Sequence, residues 1–499
     1  MSTAKLIIDR DFVLAPVDPY LYGSFIEHLG RGIYSGIYEP GHPDADAQGF
    51  REDVIRLVKD LDVSIIRYPG GNFVSGYNWT DGIGPRNKRP RRLELAWKSI
   101  ETNEFGIDEF VDWAKKTGTE VMAAVNLGTG TPQEAGYMIE YCNHPSGTYW
   151  SDLRIEYGHR EPHNIKTWCL GNEMDGPWQI CHLDADDYGK RALETAKIMK
   201  WIDPDIHLVA SGSSSSFMPT FPDWDRIVLE HTYDYIDYIS LHRYYENLGD
   251  IDDFLASFID MDRFIKSVVA TADFVKAKKR SKKTVMLSFD EWNVWYQKRV
   301  ELIPWESAPP ILEDHYSLLD ALVFGGLMTT LLNNADRVKI ACLAQLVNVI
   351  APIFTRKGGK AIKQTIYYPF QMVSRYGRGT VLRPIMHCET RGTRSYEAVP
   401  VIQSAVTYNE EEETITLFVL QRDTQKSVDI ELDFRSFGKL SMIEHVILDG
   451  PDIYASNSFE EPEKVKPRKL SVDSTAQSLF TIELPRLSWN MLRFKKINV

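Results

Sequence analysis

Thr167-Trp-Cys-Leu-Gly-Asn-Glu173 is a short apolar run that ends on a carboxylate, and Val285-Met-Leu-Ser-Phe-Asp-Glu291 repeats the arrangement. Runs this short and this apolar suit strands buried on both faces, as a parallel sheet requires. A glutamate at the C-terminal tip of such a strand stands at the mouth of an α/β barrel, where that fold keeps its chemistry. The chain between the two has room for about three βα units of ~30–40 residues. That spacing sets the glutamates three strands apart around one barrel.

Outward from this pair, strand-like and helix-like segments alternate from about residue 18 to 377. The expected strands are Leu21–Glu27, Val63–Tyr68, Glu120–Asn126, Lys166–Asn172, His207–Ser211, Tyr238–His242, Thr284–Phe289 and Val338–Leu346. Helical patterns fall between them at Phe50–Leu61, Gly106–Lys116, Pro132–Tyr141, Ala185–Trp201, Trp224–Tyr233, Ile251–Lys279, His315–Leu332 and Thr365–Tyr376. Asp108, Thr131 and Asp184 are expected near helix starts as caps. Eight strands alternating with eight helices predict an α/β fold of the (β/α)8 TIM barrel type. A doubly wound open sheet is the alternative, because periodicity alone does not decide closure.

Beyond Gly377 the texture changes. Ser404–Tyr408, Thr414–Gln421, Ser427–Phe434, Met442–Ile447, Ser478–Leu484 and Asn490–Phe494 alternate apolar and polar residues between turn dipeptides. Such alternation predicts a C-terminal antiparallel β-sandwich, jelly-roll-like in kind. Glu410–Glu413 reads as a solvated hairpin turn. Ser213–Ser216 reads as a loop after the fifth strand. Lys5–Ile8 and Phe12–Leu14 precede the barrel and are placed in the sandwich. The expected division is a barrel domain over 16–377 and a sandwich domain over 1–15 plus 378–499.

Composition narrows the partners. With 43% apolar and 25% charged residues the chain has the profile of an ordinary globular protein. Its 57 basic and 70 acidic side chains leave a net charge of −13. A nucleic acid or an anionic membrane needs a cationic surface, so neither is expected, whereas a neutral substrate is not repelled. The start Met1–Asp9 carries no signal-like apolar stretch, and no run of about 18 apolar residues suggests a membrane span. Five cysteines without CxxC spacing read as reduced thiols, hence a cytoplasmic location. Twelve Trp and 24 Tyr include rings that can stack on sugars, although a large core explains most of them.

Two carboxylates facing one another across a barrel mouth raise each other's proton affinity. One can then hold a proton as general acid while the other, ionised, attacks an anomeric carbon. Once the nucleophile is consumed in a glycosyl ester the repulsion vanishes, and the first group can act as base. Retaining glycosidases use this switch. Taken singly, Glu173 or Glu291 is better read as a cap or an ion-pair partner; the pair is what points to catalysis. Glu27-His28, Arg67-Tyr-Pro-Gly-Gly-Asn72, Asn126, His242-Arg-Tyr244 and Gln345 end the neighbouring strands and suit a polyhydroxylated ligand. For Arg67 the structural alternative is a buried ion pair, with Glu27 the partner in view. Gly70 and Gly71 are expected to permit a tight turn, because no phosphate-binding pattern surrounds them. HExxH and paired CxxC spacing are missing, so no metal or cofactor is expected. No GxSxG elbow is present either.

Tyr22-Gly-Ser-Phe-Ile-Glu-His28, Arg67–Asn72, Cys169-Leu-Gly-Asn-Glu-Met-Asp-Gly-Pro-Trp178, Asp290-Glu-Trp-Asn-Val-Trp-Tyr296 and Ala344-Gln-Leu-Val-Asn-Val-Ile-Ala-Pro-Ile353 together resemble glycoside hydrolase family 51 over nearly the whole chain. Most members are α-L-arabinofuranosidases that act with retention and join a (β/α)8 barrel to a C-terminal β-sandwich. The resemblance implies that Glu173 is the acid/base and Glu291 the nucleophile. It implies that Glu27, Asn72, Asn172 and Gln345 bond the arabinose hydroxyls, with Asn172 at the 2-hydroxyl. Tyr244 would hold Glu291, His242 and Arg67 would support the pair from behind, and Trp97 would wall the sugar site. Trp295 and Trp305 would shape the leaving-group side. A homo-oligomer, a hexamer by this resemblance, is implied as well.

The expected function is an exo-acting, retaining α-L-arabinofuranosidase that trims arabinoxylan- or arabinan-derived oligosaccharides without a cofactor. A β-xylosidase or endoglucanase sharing the two glutamates is the alternative within the class. From another class the alternative is a non-catalytic sugar-binding barrel, and the intact pair of glutamates speaks against it.

Overall fold

The computed structural model describes residues 2–297 and 304–497, so the outermost residues of the expected sandwich segments, Met1 and 498–499, lie outside the described residues. Among the described residues, eight parallel strands close into a barrel in sequence order. They are Gly23–Phe25, Ile65–Tyr68, Glu120–Val125, Thr167–Leu170, His207–Ala210, Tyr238–Tyr245, Met286–Val294 and Val338–Ala344. Each lies within or across an expected strand, and closure excludes the open sheet. The fourth strand stops at Leu170, which leaves Glu173 on the loop that follows. The sixth and seventh run further than expected, because their pairing continues to Tyr245 opposite Val294. An irregularity between Ser240 and His242 shifts their register and sets His242 opposite Glu291.

Thr131 and Asp184 cap their helices, accepting from the amides of Glu134 (3.2 Å) and Asp187 (2.8 Å). Asp108 does not cap. Helix Ile107–Thr117 begins after Gly106, whose amide donates to Glu109 (2.8 Å). Asp108 instead turns inward and accepts from the Tyr141 hydroxyl and His163 Nε2, both at 2.7 Å. The expected helix over Ile251–Lys279 is broken into Ile251–Phe254 and Ser257–Lys279. At the break the Ser257 hydroxyl takes the Phe254 carbonyl (2.7 Å), a local bond that competes with helix continuation.

Two sheets form the sandwich, one of four strands and one of seven. Ser2–Ile7 pairs antiparallel with Ile385–His387 and parallel with Val428–Asp433, a parallel ladder in a domain expected to be antiparallel. Val13–Pro16 joins the other sheet beside Thr380–Leu382. Residues 410–413 form the turn between Ile402–Asn409 and Thr414–Gln421. Both faces of the larger sheet are covered. Leu417, Val419, Leu492 and Phe494 enter the sandwich core, while Phe418, Leu420, Trp489 and Met491 join the core of the barrel. Helix Leu318–Asn333 lies between barrel and sheet and is buried through Leu332. Its Gly325 admits the Trp489 ring so closely that a Cβ there would stand 2.4 Å from it.

Candidate active site

Glu173 sits in the left-handed region at φ 44°, just after Gly171 at φ 82°. A non-glycine residue there is strained and must be held by its surroundings. Two contacts hold the carboxylate: Trp178 Nε1 donates to Oε2 (2.7 Å), and His242 Nδ1 lies 2.9 Å from Oε1. The loop itself is pinned through Asp175, which accepts from the Ser214 amide (3.0 Å) and hydroxyl (3.1 Å). Burial lifts the Asp175 carboxyl to about 6. The serine run is thus a loop, as expected, and also an anchor.

Glu291 faces it from the seventh strand. Arg67 Nη1 donates to Oε1 (2.6 Å) and the Tyr244 hydroxyl donates to Oε2 (2.9 Å). An oxygen of Glu173, an oxygen of Glu291 and a nitrogen of His242 all lie within 4.8 Å of one another. Asp290 stands behind them, 3.5 Å from Arg67 Nε and 3.3 Å from His242 Nε2. Arg67 is therefore in a buried ion pair, but with Glu291 and Asp290 rather than Glu27. Its remaining Nη2 donates to Asn172 Oδ1 (2.6 Å), and its guanidinium lies over the Phe25 ring at 4.9 Å.

The charges explain one another. Burial lowers the proton affinity of His242, but Glu291, Asp290 and Glu173 outweigh it and raise the imidazole to about 10. Burial works to raise Asp290, and the charges of Arg67 and His242 overcome it and hold that carboxyl below its ordinary range. For Glu291 burial prevails: its carboxyl is raised, although His242 and Arg67 oppose the shift.

Glu27 forms the far wall. It accepts from the Phe73 amide (2.8 Å), Trp97 Nε1 (3.0 Å) and Gln345 Nε2 (3.2 Å), while its own amide donates to Gln345 Oε1 (3.1 Å). Burial pushes its carboxyl up to about 8. Gly71 opens the tight turn expected there, its carbonyl accepting from the Val74 amide (3.2 Å), and it also serves close approach, since a Cβ would meet the Glu27 carboxylate at 2.5 Å. A cavity of about 450 Å³ opens above both catalytic candidates, and Glu27, Asn72, Trp97, Tyr244 and Gln345 all line it. Asn172, Arg67 and His242 lie behind that lining, each no more than 2% exposed. Asn172 Nδ2 points toward Asn72 Oδ1 at 3.4 Å. Trp295 lines the cavity, whereas Trp305 does not. His28 is also removed from it, bonded to Glu101 and Tyr68 at 2.8 Å each, and Asn126 bonds the Tyr77 carbonyl (2.9 Å).

Known proteins share this architecture. Residues 57–263 match the family model "Alpha-L-arabinofuranosidase 1 domain" and 290–488 match "Alpha-L-arabinofuranosidase C-terminal domain". An intracellular exo-α-(1→5)-L-arabinofuranosidase of Halalkalibacterium halodurans is 55% identical over 99% of both chains. A family 51 α-L-arabinofuranosidase structure from Bifidobacterium longum superimposes with a TM-score of 0.96 at 44% identity, covering 99% of this chain and 100% of the other. The chain belongs to glycoside hydrolase family 51, the α-L-arabinofuranosidases. A Bacillus subtilis intracellular exo-α-(1→5)-L-arabinofuranosidase is 54% identical over 99% of this chain and 100% of its own.

Within this glycoside hydrolase, Trp178, Ser214 and Asp290 are site features given no role in the sequence. Trp178 stands inside the quoted Cys169–Trp178 motif, and its spacing from Glu173 was the available signal. Asp290 precedes Glu291, and only the barrel reveals that it faces Arg67 and His242. Among the described residues two clusters bring ligand atoms close enough to share a cation, Glu173–His242–Glu291 and Asp108–His159–His163. In the first, Glu291, Asp290 and Glu173 raise the proton affinity of His242, so a cation there would have to displace that proton.

Proposed function

We propose that this arabinofuranosidase removes terminal α-L-arabinofuranosyl residues, one at a time and with retention, from arabinan- and arabinoxylan-derived oligosaccharides. The observation that carries the reading is the contrast between two carboxylates whose oxygens approach within 4.8 Å. Such proximity suits the ~5–5.5 Å carboxyl spacing of retaining enzymes better than the ~6.5–9.5 Å gap of inverting ones. Glu291, aimed by Arg67 and Tyr244, attacks the anomeric carbon as nucleophile. Glu173, aimed by Trp178, gives its proton to the departing oxygen. It then takes a proton from the water that releases arabinose from the ester. Glu27, Asn72 and Gln345 bond the sugar hydroxyls, and Asn172 reaches the 2-hydroxyl once sugar displaces the Asn72 contact. Trp97, tied to Glu27, closes the pocket against a longer non-reducing end.

The α-(1→5) linkage and an intracellular place are carried by the names of the bacterial relatives. Among the described residues no helix is long and apolar enough to cross a membrane. A homo-oligomer, a hexamer by family resemblance, completes the proposal. The test is hydrolysis of 4-nitrophenyl α-L-arabinofuranoside beside the β-D-xyloside, with the first-formed sugar followed by NMR. The expected outcome is preference for the arabinofuranoside and initial release of the α-anomer. Preference for the xyloside, or initial release of the β-anomer, contradicts it.

A further inference from the structure

A second cavity, of about 310 Å³, adjoins the sugar pocket, and Arg243, Tyr244, Trp295 and Gln297 line both. The two cavities meet at these shared residues. Beyond them the walls come from the loops after the fifth and sixth strands and, unexpectedly, from a hairpin of the C-terminal domain. Arg394, Ser395 and Tyr396 belong to a hairpin loop between Thr390–Arg391 and Val399–Pro400.

That loop is fastened. Asp253, at the start of the broken helix, accepts from the Thr393 hydroxyl, the Ser395 amide and the Ser395 hydroxyl, each at 2.8 Å. Arg394 pairs with the same carboxylate at 3.4 Å. Below the clamp Val399 packs against Ala256 and Phe258. Ordering an exposed loop costs conformational entropy, and this set of contacts offsets it where the C-terminal domain reaches the rim of the site.

The surface so made has the chemistry of a carbohydrate subsite. The Phe217 ring is 73% exposed and lies over the Arg243 guanidinium at 4.4 Å. Arg243 is itself fixed by Asp260 (2.7 Å), so the ring rests on a rigid base. Tyr396 and Trp295 add aromatic faces. Rings with hydrogen-bonding groups between them recognise the apolar faces and hydroxyls of sugars together. The charged lining sets Glu246, Asp250, Asp253 and Asp260 against Arg243 and Arg394, a balance that repels an anionic ligand and tolerates a neutral one.

We propose that this cavity binds the leaving-group side of the substrate, a neutral chain of α-linked arabinofuranose units, at its second and third sugars beyond the cleaved bond. The hairpin thereby sets the enzyme's preference for chain length. The proposal rests on the exo-arabinofuranosidase reading above, and the test separates the two.

The experiment measures kcat/KM of the whole enzyme and of Phe217→Ala, Tyr396→Ala and Asp253→Ala on four substrates. These are 4-nitrophenyl α-L-arabinofuranoside and α-(1→5)-linked arabinobiose, arabinotriose and arabinotetraose. The wild type is expected to improve from the biose to the tetraose. Each variant is expected to fall about tenfold on the tetraose relative to the 4-nitrophenyl substrate, a difference of ~1.4 kcal/mol. Phe217 is so exposed that its truncation leaves the fold intact, and the ratio between substrates is independent of any general loss of active enzyme. A tetraose to 4-nitrophenyl ratio unchanged in all three variants overturns the proposal. Failure of the underlying reading would appear separately, as a wild type inactive on every arabinofuranoside.

Discussion

Glu173 and Glu291 share one barrel mouth but not one environment, and under the proposed mechanism that difference gives them different work. Glu291 receives hydrogen bonds from a guanidinium and a phenol, both of which favour its ionised form. Burial nonetheless raises its carboxyl, so it takes up a proton at a higher pH than an ordinary glutamate does. The acid limb of kcat/KM is therefore expected above ~4.3, the usual glutamate value. Tyr244→Phe removes a donor to the charged form, which raises the proton affinity further. Its acid limb should move to higher pH and its kcat should fall, whereas a limb unmoved or moved to lower pH would show that the phenol does not act on Glu291. Much at this scale was legible: the facing glutamates, although one lies past its strand and the other inside it, Tyr244 beside Glu291 through the family resemblance, and a buried ion pair for Arg67. Which carboxylate that guanidinium met was not, because the answer depends on where the seventh strand comes round the barrel to face the second. Asp108 shows the same limit, since a cap and an inward ligand for Tyr141 look alike in sequence.

Elements were legible in proportion to how strongly burial marks them. The eight barrel strands are covered on both faces, and unbroken apolar runs betray them. Their lengths were less visible, because polar residues such as Glu291 and Tyr244 at the mouth, and the buried Asn293, interrupt the run while the ladder continues. Helix Leu318–Asn333 is the opposite case. It is apolar all round because barrel and sandwich cover it from two sides, a fact its own periodicity does not state. Gly325 is a point of very close approach between the two bodies. Gly325→Val places a branched side chain into the Trp489 ring, and overpacking of this kind costs ~1–3 kcal/mol. A lower Tm is expected, with kcat/KM of the surviving enzyme little changed, because the contact lies away from the glutamates. An unchanged Tm would mean that barrel and sandwich separate there without cost.

At the scale of the molecule, the sandwich is bound to the barrel by an alternating sheet that serves two cores at once. Its N-terminal strands come from the far end of the chain, so the two termini meet in one domain. The sequence made that meeting visible, since Lys5–Ile8 and Phe12–Leu14 had no place in the barrel. The reach of the 393–396 loop to Asp253 was invisible, because the contact spans some 140 positions and involves residues common on any surface. The molecule thus assembles its chemistry from barrel strands and, by our inference, its chain-length preference from both domains.

The proposed mechanism depends on which glutamate carries the proton and which one attacks. Azide added to Glu173→Ala decides it, because azide needs no general base and can replace water on the ester held by Glu291. It attacks from the face the leaving group vacated, so the expected product is α-L-arabinofuranosyl azide, with rapid cleavage of 4-nitrophenyl substrates. A β-linked azide from Glu173→Ala would show instead that Glu173 is the nucleophile, and the assignment would be reversed.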